Sequence, residues 1–399
     1  MNFEFLTAGK VVFGRNKFEQ LADSAGELGS RFLIVSGSGA LRDNGVLGSL
    51  ESQLEAKGKA YVHYSGVRRE PEPADVDEGA RLARKHGCDA VIGLGGGSVL
   101  DCAKAIAALI TNEGPVEDYL EGVGVGRKLT RGPVPFVAVP TTSGTGSEVT
   151  KNAVISSRSK GYKKSFRDDR MLADIALVDP ALTVTLPKSE TAASGLDALC
   201  QLIESYVSVR SNPLIKSLAT LGMTYCAASL KPAYDNGKDL VAREGMAMAS
   251  LLSGMCLCNA GLGAAHGIAA ALGAHLDMPH GLCCGILLPH VMEYNMDAAL
   301  HEYDEVGRAL LGEEFLEPGQ GARSAVDYLI TLNSELGIPR DFKQVRVDQA
   351  KLELIAVGSQ GSSMSGNPKR MDERACFAFL SELFDTSLGH HQNPDRKPC

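Results

Sequence analysis

In the stretch GLDALCQLIESYVS, from Gly195 to Ser208, Asp197 and Gln201 stand four residues apart. On a helix, side chains at i and i+4 share a face, so two carbonyl-type oxygens point the same way. The pair is either half of a metal site or an ordinary polar face. Cys200, at i+3 from Asp197, is a softer neighbour whose plain role is core packing. A second chemical signal is GLGGGSVLDCAKA (93–105), which sets Gly95, Gly96, Gly97 and Ser98 between a strand-like and a helix-like run. Backbone without Cβ atoms can approach a phosphate closely, and the free N–H groups of a helix start favour anions. The pattern is not GxGxxG, so a tight turn is the bland alternative. A third signal, PTTSGTGSEVTKN (140–152), crowds Thr141, Thr142, Ser143, Thr145 and Ser147 around two glycines. That is more hydroxyl than a turn requires, and it suits phosphate and ribose contacts.

The adenosine end of a dinucleotide would meet VSGSGALRD (35–43). An acidic residue after such a strand binds ribose hydroxyls and repels a 2′-phosphate. Here Gly37, Ser38 and Gly39 occupy the strand end, with Arg42 one turn on and Asp43 beside it. The site is expected to take NAD or NADP, with NADP favoured by the missing acid and Asp43 arguing the other way.

These loops need a scaffold that presents them together. RFLIVSG (31–37), DAVIGLGGG (89–97) and PFVAVPTT (135–142) are short apolar runs ending in Gly, Ser or Thr, each followed by polar or helical sequence. They predict buried parallel strands with helices on both faces, and ligands at the strands' carboxyl ends. After about Val184 the texture becomes Ala- and Leu-rich at helical spacing, with few strand signals. The expected organisation is an α/β dinucleotide-binding domain over 1–183, an all-helical domain over 184–388, and a disordered tail over 389–399.

Composition narrows the function. The 399 residues carry a net charge of −8 with scattered Lys and Arg and no Trp, which speaks against nucleic-acid binding. Ten cysteines without a CxxC pair, and no secretory leader, predict reduced thiols in a cytoplasmic protein. From Gly245 to Leu276 there is no Asp, Glu, Lys or Arg, long enough to suggest a membrane span. Six glycines, Asn259, His266 and His275 in that stretch favour closely packed buried helices instead.

Three segments, GGGSVLDCAKAIA, PTTSGTGSEVT and GLDALCQLIESYVS…AAHGIAAALGAHLDMPHG…LLPHVMEYN, closely resemble in order and distance the iron-containing, or group III, alcohol dehydrogenase family. The likeness runs from VVFGRNKFEQL to GNPKRMDERACFAFLSELF (366–384). The resemblance implies an α/β N-terminal dinucleotide-binding domain plus an all-α C-terminal domain, the dehydroquinate synthase-like architecture, with cofactor and metal in the cleft between. It implies NAD(P)-dependent hydride transfer between an aldehyde and its primary alcohol, and a homodimer. Gly95, Gly96, Gly97, Ser98 and Asp101 would hold the pyrophosphate, and Thr141, Thr142, Thr145, Asn152 and Lys164 the rest of the cofactor.

The family's metal ligands, an aspartate and three histidines, fall on Asp197, Gln201, His266 and His280, so one imidazole has become an amide. Another family histidine is Ala270 here. Two imidazoles and a carboxylate still suffice for catalytic Zn²⁺ or for Fe²⁺, and Gln201 would bind weakly or orient a nearby water. Asp197, His266 and His280 are therefore the expected catalytic residues, with a small aldehyde or alcohol as the partner. A metal-free reductase of the maleylacetate reductase type and a non-catalytic nucleotide-binding protein are the competing readings. The segments 195–208 and 262–285 contain no Lys or Arg, against an anion-binding cyclase.

Overall fold

The computed structural model of the protein describes residues 2–37, 39–67 and 70–384. Its first half is built on a parallel sheet of six strands: β1 (Lys10–Phe13), β2 (Arg31–Gly37), β3 (Ala60–Val67), β4 (Ala90–Gly95), β5 (Phe136–Pro140) and β8 (Ile175–Val178), in the order β1-β8-β5-β4-β2-β3. The central strands are covered on both faces, which is why they are continuously apolar. Along β2, Leu33 and Val35 join one core with Ile106 of the helix Gly97–Thr111, while Phe32 and Ile34 join another with Leu50 and Leu54 of the helix Val46–Ala56. The chain leaves β2 for β3 on one side and returns to β4 on the other. The carboxyl ends of β2 and β4 therefore frame the crevice where such sheets bind ligands.

The strand runs named above are β2, β4 and β5; they omit β1, β3 and β8 of the main sheet and an antiparallel hairpin of β6 (Asn152–Ser157) and β7 (Tyr162–Arg167), with Ile155 opposite Lys164. Two six-residue segments around a turn glycine, Gly161 at φ 65°, are its signature. It stands apart from the main sheet and reaches toward the second half of the molecule.

From Lys188 onward the described residues are helical, with no strand among them. Helices Lys188–Val207, Pro213–Asp235 and Leu240–Ala260 pack against one another around one apolar core. Leu240–Ala260 is long and apolar enough to cross a membrane by length and composition, yet 67% of its most apolar window is buried inside the fold. Its Ala247 and Leu251 also enter the core of the α/β half, so this helix ties the two halves together. The tail from 389 lies outside the described residues.

Candidate active site

The helix Lys188–Val207 is buried along its second half, and Asp197, Gln201 and Glu204 run along it at i, i+4 and i+7. A buried row of polar groups must find partners or cost stability. Each does. Glu204 accepts from the backbone N–H of Ala265 at 2.7 Å and meets Nδ1 of His266 at 2.7 Å, so it both caps the helix Ala264–Leu276 and sets the ring of His266. With Nδ1–H donated to Glu204, Nε2 is turned toward Asp197, 3.2 Å from its Oδ1. Gln201 Oε1 accepts from the Ser253 hydroxyl at 2.9 Å.

His280 opens the helix His280–Asn295 and brings its Nε2 to 3.7 Å from the same Oδ1 of Asp197. Its place depends on Gly281, where a Cβ would lie 2.1 Å from the carbonyl oxygen of Ala193. Any larger residue would push His280 away from the Asp197 helix. The other ring nitrogen of His280, Nδ1, is buried and has no protein partner.

Electrostatics follow this geometry. Burial pushes the carboxyl of Asp197 up, but the hydrogen bond from His266 and the charges of both imidazoles outweigh it and leave Asp197 below its usual range. Burial favours a neutral His266, yet Cys284, Asp197 and Glu204 together hold its pKa well above the ordinary value. His280 falls to about 4, through burial first and then the nearby Lys163 ammonium.

The chemistry of this set fits a divalent cation. It offers one ionised carboxylate and two imidazole nitrogens facing each other, one imidazole oriented by a further carboxylate as metal-binding histidines usually are. Cys200 is not part of it, because its Sγ lies 3.6 Å from Nδ1 of His266, the ring edge that Glu204 occupies.

The cluster forms one wall of a cleft of about 990 Å³. Gly37 and the helix start at Gly96, Gly97 and Ser98 form the opposite end, with Thr142 and Thr145 of the hydroxyl loop between. A Cβ on Gly97 would sit 2.6 Å from the Thr145 side chain, so the backbone there is a cradle only glycine leaves open. Its position at the first turn of a helix suits a pyrophosphate. Asn152 and Lys164 also line the cleft. Gly95 and Thr141 stand one step back: Gly95 pairs with Pro140 in the sheet, and the N–H of Thr141 donates to its carbonyl at 2.9 Å, holding the two loops side by side. Ser38 lies outside the described residues.

Asp101 reaches the cleft, but its carboxylate is engaged by the protein. It accepts from the Ser147 hydroxyl and from the Val154 N–H at 2.9 Å. One turn further, the fully buried Lys104 donates to the carbonyls of Ser147 at 2.9 Å and Asn152 at 2.8 Å and to the Thr150 hydroxyl at 3.0 Å. The two side chains clamp the hydroxyl loop to the glycine-started helix.

Two residues at this site were not singled out in the sequence. Glu204 continues the 197/201 face and could have been found by extending that row one turn. Lys163, beside the expected Lys164, lines the cleft from β7, pairs with Glu70 at 2.9 Å and is close enough to lower the pKa of both Asp197 and His280. The segments 195–208 and 262–285 do lack basic residues, but the hairpin supplies one from the other half of the chain.

A parallel sheet with a glycine-rich helix start facing a helical domain, with cation donors on the wall between, defines a class of dinucleotide-type enzymes with the dehydroquinate synthase-like architecture. Comparison gives the particular branch. The profile of the iron-containing alcohol dehydrogenases matches residues 8–180, and that of the family's C-terminal domain matches 191–384. Alcohol dehydrogenase 4 of Saccharomyces cerevisiae is 35% identical over 377 residues, covering 94% of this chain and 96% of its own. The 1,3-propanediol dehydrogenase of Klebsiella pneumoniae is 33% identical over 388 residues, covering 96% and 99%. A crystal structure of 1,3-propanediol oxidoreductase superposes with a TM-score of 0.90 at 31% identity, over 96% of this chain and all of that one. The chain belongs to the iron-containing alcohol dehydrogenase family, and it is an oxidoreductase of the alcohol–aldehyde interconversion.

Proposed function

We propose that the protein carries out NAD(P)-dependent, metal-assisted reduction of a short aldehyde to its primary alcohol, and the reverse. The observation that carries this reading is the convergence of Asp197, His266 and His280 on the wall of the cleft that the glycine-started helix opens into. A divalent ion, Fe²⁺ or Zn²⁺, supplies a Lewis acid for the carbonyl oxygen there, and the nicotinamide supplies the hydride. Asp197, His266 and His280 are the catalytic ligands on this reading, with Gln201 beside them. Glu204 keeps the proton on Nδ1 of His266 and so keeps Nε2 available as a donor. Gly96, Gly97 and Ser98 receive the pyrophosphate, Thr142, Thr145, Asn152 and Lys164 contact the rest of the cofactor, and Gly95, Thr141 and Asp101 shape the loops around it.

Ala270 on the cleft wall, where the family has a histidine, leaves that part of the wall open, so the short substrate rests on the family resemblance. At the adenosine end, Gly37 leaves the strand end without an acid, and Arg42 approaches His63 at 3.4 Å, a combination that supports NADP over NAD. The same reading assigns 1–183 to the dinucleotide domain and 184–388 to the metal-binding one. Free thiols at nine described cysteines support a cytoplasmic setting, and the family resemblance supports a homodimer.

The test is oxidation of NADPH and NADH with a short aliphatic aldehyde, on chelator-stripped protein given back Fe²⁺ or Zn²⁺ anaerobically. Activity is expected to vanish on stripping and return with metal, with the lower KM for NADPH. Full activity in the stripped protein would overturn the metal assignment in favour of a metal-free reductase.

A further inference from the structure

The donor cluster contains a fourth group that the family pattern does not call for. The ligand atoms of Asp197, His266, His280 and Cys284 all lie within 4.8 Å of one another. Cys284 sits one turn along the helix from His280, and its Sγ is 3.7 Å from His280 Nε2. Around a tetrahedral ion, bonds of about 2.0–2.1 Å to nitrogen or oxygen and about 2.3 Å to sulfur set neighbouring donors about 3.3–3.6 Å apart. The separations here are 3.2 Å for His266 Nε2 to Asp197 Oδ1, 3.7 Å for His280 Nε2 to the same oxygen, and 3.7 Å for Cys284 Sγ to His280 Nε2. The nitrogen–oxygen edges are the shorter ones, so the first two separations depart from them by about 0.1 and about 0.3–0.4 Å, and the third departs from the sulfur edge by about 0.1 Å. Gln201, which stands where the family has its fourth donor, offers only a neutral amide oxygen, one that competes with the carbonyls of Ser250 and Gly144 for the single hydroxyl proton of Ser253.

Position favours the sulfur as well. Asp197, Gln201, His266 and His280 line the cleft, whereas Cys284 is fully buried behind them. A donor at the back leaves the cleft side clear, and with four protein donors a substrate oxygen enters there as a fifth ligand, by the expansion to five-coordination that catalytic zinc undergoes.

We propose that Cys284, as thiolate, is the fourth protein ligand of this centre in place of the imidazole missing at 201, and that the site consequently selects Zn²⁺ over Fe²⁺. The selection follows from ligand softness: a thiolate favours zinc, while imidazole and carboxylate serve either ion. The sulfur–metal bond forms as the thiol proton leaves to solvent. This inference rests on the metal site proposed above and adds the identity of its donor and ion.

The test is titration of chelator-stripped full-length protein with Co²⁺, which reports geometry through its visible bands and sulfur ligation through a near-ultraviolet thiolate-to-cobalt charge-transfer band. One equivalent is expected to produce both in the unaltered protein, so the main readout needs no variant. Cys284→Ser is expected to lose the ultraviolet band, keep the visible ones and bind at least about tenfold more weakly; Cys200→Ser keeps both. In anaerobic competition, metal analysis is expected to find zinc retained over iron. Visible bands without a thiolate band, or a thiolate band lost in Cys200→Ser and kept in Cys284→Ser, would overturn the role of Cys284 while leaving the metal site standing. Absence of any cobalt binding would overturn both.

Discussion

The two halves of this molecule build their parts of one cleft by opposite means. In the α/β half the end of the cleft suited to a pyrophosphate is backbone, the turn at Gly96–Gly97–Ser98 braced beneath by Asp101 and Lys104, with the hydroxyl loop and hairpin side chains beside it. In the helical half it is side chain: Asp197, His266 and His280 come from three helices, and Glu204 fixes one of them. A backbone cradle tolerates changes that leave its loop conformation alone. A side-chain cluster changes character with each atom removed.

The contrast is sharpest between two buried carboxyls. Burial pushes both upward, but Asp197 is drawn below its usual range by the imidazoles around it. Glu148, inside the hydroxyl loop, has only its own backbone N–H and the more distant Lys104 to oppose burial, and it rises to about 7. One carboxyl is held in its ionised form, and the other titrates near neutral pH inside the fold. Asp197→Asn is accordingly expected to give the largest loss, about a thousandfold in kcat/KM, with dinucleotide affinity nearly unchanged. Steady-state kinetics and nucleotide-binding fluorescence check the two parts separately, and a parallel loss of nucleotide affinity would erase the distinction between the halves.

Glu148→Gln probes the other carboxyl through stability. Because the folded pKa of Glu148 lies above its unfolded value of 4.5, its contribution to stability is complete below pH 4.5 and is lost as the pH rises to about 7. Removing the titrating group removes that slope. The variant should gain up to about 3 kcal/mol over the parent protein at pH 8, and the gain should shrink toward zero by pH 4.5. Denaturant unfolding at several pH values measures it, and a gain independent of pH would assign the effect to packing.

The difference in construction also explains what the sequence disclosed. The backbone half is legible because parallel strands buried on both faces must be apolar throughout, so RFLIVSG, AVIGLG and FVAVP announce themselves and the glycine and hydroxyl loops fall at their ends. The hairpin was hidden because β7 carries Lys163, Lys164 and Arg167 at half-exposed or exposed positions, and β6 offers only the three-residue apolar run Ala153–Ile155. With it, the approach of Lys163 to the cluster was hidden too, since nothing local says that residue 163 will face residue 280. In the helical half the i, i+4 spacing revealed the face of Asp197 and Gln201, and one further turn of the same face contains Glu204. Which cysteine faces the cluster was not legible: Cys200 and Cys284 are both buried on helices that border it, and only the rotation of those helices separates them.

The smallest expected effect tests the backbone half at its tightest point. In Gly97→Ala the new methyl would meet the Thr145 side chain at 2.6 Å, closer than packed atoms tolerate, so the helix start or the hydroxyl loop must give by several tenths of an ångström. Neither part holds the donors of the helical half. The expected result is a rise of about tenfold in KM for the dinucleotide, worth about 1.4 kcal/mol, with metal content unchanged. Kinetics at saturating aldehyde, together with metal analysis of the same preparation, check both. Loss of metal in this variant would mean that the hydroxyl loop, which touches Ser253 through Gly144, transmits strain to Gln201 and the cluster behind it. The two halves would then form one mechanically continuous site.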